Sequence, residues 1–271
     1  MQELGNIEGK VILFGGVYSN LQALEALLKE ADKLGVPYSN LICTGDIIGY
    51  CAQSEEVSQL MRKHNIRSIA GNVEQQLREE EEDCGCDFEE GTTCDSLSKT
   101  WYPYAQIHIS EETKSWLDTI PLNISFTFGN KKCVVVHGSY FNISEFVFKS
   151  SPWETKDPNF AKTEADVIIA GHCGLPFVDR NENKTWLNPG VIGMPANDGN
   201  TTVWYATLEV VNGEIEMTHH SLAYDFNTAA SLMEKAQLPS QYSLTLKTGI
   251  WDNCYILPEE ETKNQGKEID F

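Results

Sequence analysis

Four apolar runs in this chain each stop at a glycine and a polar residue: "LICTGDIIGY", "IAGNVE", "VVVHGSY" and "VIIAGHCGLPF". Short apolar runs cut off by glycine read as buried strands that leave their sheet abruptly. Each run therefore delivers one side chain to the rim of a sheet: Asp46, Asn72, His137 and His172. In open α/β sheets that rim is where sites are built. Further strand-like runs are "KVILFGG", "ISFTFG", "TWLNPG", "TVWYATLEVV" and "EIEMTHHSL", and helix-like runs are "NLQALEALLKEADKLG", "SEEVSQLMRKHN" and "SEETKSWLDTI". The first half alternates β and α, and the later part is strands joined by Gly/Asn turns such as "FGNKK" and "VNGE". This order predicts an α/β protein with parallel strands early and antiparallel strands late.

Of the 271 residues, 41% are hydrophobic, enough for a substantial core. No apolar run approaches the ~18 residues of a membrane span. The start, "MQELGNIEGK", lacks the basic and apolar segments of a signal peptide, so a cytoplasmic protein is expected. The formal net charge of −20 repels phosphate backbones, which argues against nucleic acid or an anionic membrane as partner. No feature predicts the oligomeric state. Residues 1–222 are expected to form the main domain, interrupted at about 74–100 by an acidic insertion without clear period. Residues 223–271 are expected to add a helical extension, "NTAASLMEKAQLP", and a polar, mobile end.

One carboxylate, one amide oxygen and two imidazoles make a shell suited to a first-row divalent metal. A single strand-end histidine is more often structural, so the weight rests on four such residues in order. The ordered set Gly-Asp-x-x-Gly-Tyr, Gly-Asn, Val-His-Gly, Gly-His and "NPGVIGMP" resembles the calcineurin-like metallophosphoesterases over about residues 10–220. The resemblance implies a four-layer α-β-β-α sandwich, two mixed β-sheets flanked by helices. It also implies two metals ~3.5 Å apart that activate a water to attack phosphorus.

The departures from that family fall on one side. Where the family reads Asp-x-His in its first motif, "GGVYSN" places Gly16 and Tyr18; where its last motif carries a second histidine, this chain has Gly174; and Val73 replaces a histidine that acts as an acid near the leaving group. By the resemblance, Gly16, Tyr18 and Gly174 remove the private ligands of one metal. Asp46, Asn72, His137 and His172 retain all ligands of the other. The expected cofactor is a divalent ion, Mn, Fe or Zn, in one or two copies. With the nucleophile a metal-held water, Tyr18 and Asn20 are candidates for orienting substrate, a small phosphate ester or similar molecule.

Eight cysteines in such a chain are not read as a disulfide framework. Cys84, Cys86 and Cys94 crowd into "CGCDFEEGTTC", and Cys51 and Cys173 flank the strand-end motifs. Thiolates suit zinc or, as a less favoured option, an iron–sulfur cluster, although zinc sites space their cysteines more widely. A Cys-built second site, a disulfide and free thiols all remain open. Two functions stay in view: a divergent phosphoesterase-like hydrolase using the retained half-site, weak on generic aryl phosphates, and a non-catalytic metal-binding or sensing module. An open metal position favours the enzyme.

Overall fold

The computed structural model describes residues 1–86 and 91–271, with the side chain of Cys94 also outside the description. Among the described residues, the strands are β1 (Gln2–Asn6), β2 (Val11–Phe14), β3 (Leu41–Cys43), β4 (Arg67–Ser68), β5 (Ile124–Phe128), β6 (Lys131–Val135), β7 (Val167–Ile169), β8 (Phe177–Asn181), β9 (Lys184–Asn188), β10 (Val203–Val211) and β11 (Glu214–Leu222). They pair into two sheets, ordered β11-β10-β2-β3-β4 and β1-β5-β6-β7-β9-β8. In the first, β2, β3 and β4 run parallel, with β10 and β11 added antiparallel. In the second, β6, β7 and β9 run parallel, β5 pairs antiparallel with β6 and parallel with β1, and β8 pairs antiparallel with β9. The helices are α1 (Leu21–Leu34), α2 (Ser54–Lys63), α3 (Asn72–Glu79), α4 (Thr93–His108), α5 (Glu111–Leu117), α6 (Trp153–Thr163), α7 (Phe226–Lys235), α8 (Ser240–Thr248) and α9 (Glu259–Thr262).

Side-chain alternation along β2 sets the layers, because successive residues point to opposite faces of a sheet. Val11 and Leu13 enter a cluster between the sheets with Ile42, Phe126, Val135 and Ile169. Ile12 and Phe14 point the other way, onto Leu24 and Leu27 of α1 and a cluster that includes Met233 of α7 and Leu246 of α8. The outer face of the second sheet carries Val134, Ile168 and Trp186 under Phe160 of α6. Three apolar clusters thus separate four layers, helix–sheet–sheet–helix, the expected class. In this architecture β3 and β4 of one sheet and β6 and β7 of the other end at a common edge.

The first helix shows why the sequence breaks where it does. Asn20 caps α1 by accepting from the Ala23 N–H at 3.2 Å, and Gly35 closes it with φ +67°. Leu24, Leu27, Leu28 and Ala31 repeat every three or four residues and are buried.

Several elements depart from the sequence expectation. Strands β1 and β8 were not foreseen because both are edges of the six-stranded sheet and face solvent for most of their length, which removes the apolar pattern. Helix α6 is masked by Pro158 within it. The acidic insertion is not aperiodic throughout: its first residues form α3 and its last open α4. The polar end is partly anchored, since α9 forms and the Phe271 ring stacks on His219 at 4.1 Å.

Leu13 is fully buried between the sheets. Leu13→Ala is expected to cost about 2–5 kcal/mol by lost burial plus the cavity left behind. Urea unfolding should show a lower midpoint with an unchanged slope.

Candidate metal centre

The four strand ends bring their side chains together around one atom, Nε2 of His137. Asn72 Oδ1 lies 3.0 Å from it, His172 Nδ1 3.1 Å and Asp46 Oδ2 3.3 Å. The ligand atoms of Asp46, His137 and His172 all fall within 4.8 Å of one another and all three residues are buried. The other ring nitrogen of His137, Nδ1, donates to the Thr44 carbonyl at 2.7 Å. That bond joins the end of β6 in one sheet to the end of β3 in the other. It also directs the Nε2 lone pair into the cluster. Asn72 is turned by its amide nitrogen, which donates to the Cys84 carbonyl at 2.8 Å and to Cys86 Sγ at 3.1 Å, leaving Oδ1 for the cluster.

Close approach of backbones makes this convergence possible. A Cβ at Gly45 would sit 2.6 Å from the Gly71 nitrogen and 2.7 Å from His137 Nδ1, and one at Gly71 would run into the Asp46 carboxylate. Tyr18, Ser19, Asp46 and His172 all have left-handed φ, between +40° and +59°. Non-glycine residues rarely adopt this conformation, and strain of this kind collects at functional sites. Glu74 holds the arrangement from below: its carboxylate accepts from the N–H groups of Gly71 (2.8 Å), Asp46 (2.9 Å) and Ile48 (3.1 Å). Sequence reasoning passed over Glu74 as a positioning residue. Its signal was present, an acid three residues after the cap of a helix.

The electrostatics follow from lone pairs outnumbering protons. Burial alone would raise Asp46, but the His137 imidazole, with His172 behind it, holds its carboxyl below the usual carboxylate range. Burial alone would lower His137, but Asp46 beside it and the Thr44 carbonyl raise it. Burial and the neighbouring His137 drop His172 to about 3. Burial and the Asp46 charge push Glu74 up to about 7, against its backbone donors. Asp46 Oδ1 and His172 Nε2 are buried without a hydrogen-bond partner. Ligand atoms about 2.1 Å from one ion lie roughly 3.0–3.4 Å apart, so these spacings fit a divalent cation.

The opposite half of the site is built differently. The Tyr18 ring folds back over Gly16 and occupies the space into which a side chain at 16 would project, with Cε1 only 2.6 Å from an ideal Cβ there. At Gly174 the ring of Trp251 lies 3.9 Å from the Cβ position, where a longer side chain would reach. The pocket beside the four ligands is therefore walled by Tyr18, Tyr50, Phe146, Met194, Tyr242 and Trp251. Tyr50 packs on Tyr18 at 4.6 Å and on Tyr242 at 4.7 Å. Trp251 is pinned by its indole N–H to the Pro195 carbonyl at 2.7 Å. The sequence reading missed the contribution of 242–256, because a tryptophan in a polar extension gives no sign of where it docks.

The remaining candidates lie around this pocket and behind it. Asn20 turns inward: besides capping α1 it donates to the Gly193 carbonyl at 3.1 Å, and it does not line the pocket. Cys84 and Cys86 are free thiols with sulfurs 2.7 Å apart, and Cys86 and Cys173 line the pocket. Cys51 lies against the Gly193 carbonyl at 3.9 Å, and Cys173 Sγ accepts from Asn188 at 3.1 Å. Among the described residues the only group of three or more His, Cys, Asp or Glu ligands is Asp46, His137 and His172, so these four thiols form no third-ligand cluster. The Cys94 thiol lies outside the described residues.

Residues 10–213 match the profile of the calcineurin-like phosphoesterase superfamily domain. The chain belongs to that superfamily. An uncharacterised protein of Methanocaldococcus jannaschii is 26% identical over 250 residues, 86% of this chain and 95% of that one. A hypothetical protein from Pyrococcus horikoshii has the same fold, with a TM-score of 0.75 at 18% identity, covering 89% of this chain and 99% of its own. So does a metallophosphoesterase from Sphaerobacter thermophilus, with a TM-score of 0.69 at 20% identity over 90% and 100%. Calcineurin-like phosphoesterases use divalent metals, and among the described residues the group around His137 could hold one. No helix among the described residues is long and apolar enough to cross a membrane.

Because His137 is raised and His172 is already neutral, a cation entering at pH 6 displaces a proton from His137, and by offsetting the Asp46 charge it also draws on the proton of Glu74, which stands at about 7. Affinity should therefore weaken as pH falls through the His137 pKa. Calorimetry in buffers of different ionisation enthalpy should report roughly one to two protons released per ion at pH 6. Release of none would mean that His137 is not a ligand.

Proposed function

We propose that this chain is a metal-dependent ester hydrolase of the phosphoesterase type that works with one cation rather than two. The observation that carries this is the asymmetry of the site. Four ligand atoms converge on one side, while on the other the Tyr18 ring takes the space over Gly16 and the Trp251 ring borders Gly174. Asp46, Asn72, His137 and His172 would hold the ion, which when bound supplies Lewis-acid polarisation of an ester oxygen.

The chain's own groups do the rest. Thr44 fixes the tautomer of His137, Cys84 and Cys86 fix the face of Asn72, and Glu74 fixes the Asp46 loop. Tyr18 keeps its proton, since burial and the Asp46 charge raise its phenol well above the usual value. It can donate to a substrate oxygen but cannot act as a base. With Val73 in place of a histidine, no second acid faces the leaving group, so catalysis favours esters whose alcohol leaves without help. General acid assistance is typically worth 10²–10⁴-fold.

One observation favours a second reading, a binding or sensing module: among the described residues, the only carboxylate or imidazole lining the pocket besides Asp46 and His172 is the exposed Asp252. Turnover of aryl phosphate esters by wild type and His137→Ala at equal metal loading separates the two. Wild type should recover with one ion per chain and turn over. His137→Ala should lose at least about 100-fold, because changes behind a metal ligand alone already cost 10–100-fold. Metal retained with no turnover in either protein would leave the binding module standing.

The plugged half makes a further expectation. Gly16→Asp alone should destabilise the fold by about 1–3 kcal/mol, since the Tyr18 ring occupies its space. Gly16→Asp with Tyr18→His should recover that loss and raise the metal content from one ion to two. Elemental analysis and thermal melts read both.

A further inference from the structure

Residues 84–86, Cys-Gly-Cys, bring two thiols together beside the metal centre. The Cys84 and Cys86 sulfurs are 2.7 Å apart, and both residues are buried. The turn between them depends on Gly85, whose φ of +65° is left-handed and whose Cβ position lies 2.7 Å from the Gln76 side chain. Its backbone is held on both sides: the Gly85 N–H donates to Asp83 at 2.7 Å, and the Gly85 carbonyl accepts from the Ser144 hydroxyl at 2.6 Å. Sulfurs already this close need only a small closure to reach the ~2.05 Å of a disulfide bond. A loop this short takes little entropy from the unfolded chain, so such a bond is weakly stabilised and readily reduced again.

The same turn holds a metal-site side chain in place. Asn72 donates its amide to the Cys84 carbonyl and to the Cys86 sulfur, which leaves Oδ1 facing His137. On the other side, Ser144 lies two residues before Phe146, whose ring faces His172 at 4.3 Å. Closing the bond brings the two Cβ atoms to ~3.8 Å and turns the sulfurs to the near-perpendicular torsion of a disulfide. The Cys86 sulfur is then tied to Cys84 instead of free to follow the Asn72 amide, and the Gly85 turn shifts against Asn72 and Ser144.

We propose that Cys84 and Cys86 form an oxidation site: peroxide closes them to a disulfide, and the closure loosens the cation shell by taking from Asn72 its second acceptor. This goes beyond the hydrolase reading and needs only the metal centre. Cys86 lines the pocket and Cys84 does not, so a molecule barely larger than water reaches Cys86 first. The Cys86 sulfur attacks one oxygen of hydrogen peroxide and becomes a sulfenic acid, while the other oxygen leaves as water with the Cys86 proton. The Cys84 sulfur then attacks the Cys86 sulfur. The sulfur–sulfur bond forms, the S–OH bond breaks, and the hydroxyl leaves as water with the Cys84 proton. The thiol pair gives up two electrons, and one peroxide is reduced to two waters. Burial and the neighbouring Cys84 hold the Cys86 thiol well above its usual pKa, so the site answers to sustained rather than brief exposure.

The test uses the full-length reduced protein, treated with hydrogen peroxide at a pH of about 8, where more thiolate forms. Thiols are labelled after denaturation, and the tryptic peptide 79–99 is weighed. A Cys94→Ser background is used, because that peptide also holds Cys94, whose side chain lies outside the described residues. The peptide should lose both labels, and dithiothreitol should restore them. Manganese binding, read by calorimetry, should weaken at least about tenfold on oxidation and return on reduction, the size of effect that partners behind a metal ligand produce. Cys86→Ser should bind manganese equally before and after peroxide. If that variant does not fold, the return of affinity on reduction carries the same comparison.

Both labels retained after peroxide would overturn the oxidation site. One lost label, with oxygen added at Cys86, would do the same, since no disulfide had formed. A disulfide that leaves manganese affinity unchanged would overturn the coupling to Asn72. A disulfide in a protein that binds no manganese in either state would overturn the metal centre and keep the oxidation site.

Discussion

One hydrogen bond carries the geometry of this protein: His137 Nδ1 to the Thr44 carbonyl, 2.7 Å across the gap between the two sheets. It locks the strand ends of β3 and β6 together and aims the opposite nitrogen at Asp46, Asn72 and His172. A buried imidazole with one nitrogen committed to a backbone carbonyl has its tautomer chosen for it. The glycines at 45 and 71 are the condition for that bond, since a side chain at either would push the strand ends apart.

Around that bond the site divides into a polar half and an aromatic half. The polar half is supported by groups already engaged elsewhere: Asn72 by the Cys84–Cys86 segment, Asp46 by Glu74. The aromatic half is not simply a set of missing ligands. Gly16 and Tyr18 act as a pair, because the glycine leaves the volume that the ring fills. The Trp251 ring borders Gly174 at ordinary contact distance, 3.9 Å from the Cβ position there. The packed rings add apolar surface beside the four converging ligand atoms.

Among the described cysteines, Cys84 and Cys86 lie together and Cys86 shares the pocket lining with Cys173. Cys84 and Cys86 orient Asn72 through a carbonyl and a sulfur, which makes them supports of the cluster around His137. Cys51 and Cys173 pack against backbone and Asn188, each in its own surroundings. Spacing along the chain could not distinguish thiols that would meet at an ion from thiols that hold an amide in place.

What the sequence determined by itself was local and periodic. Apolar runs ending at glycine marked the strands, the three-to-four repeat marked α1, and the polar residue at each strand end marked Asp46, Asn72, His137 and His172. These patterns are legible because a buried strand or helix face imposes its period directly on the chain. Edge strands β1 and β8 lacked such a period because water, not protein, covers most of their surface. Only the tertiary structure decided that Glu74 supports Asp46, that the Tyr18 ring lies over Gly16, and that Trp251 closes the pocket from the extension. Each of those contacts joins residues by packing direction rather than by spacing, and packing direction exists only once both partners have been placed by the rest of the fold.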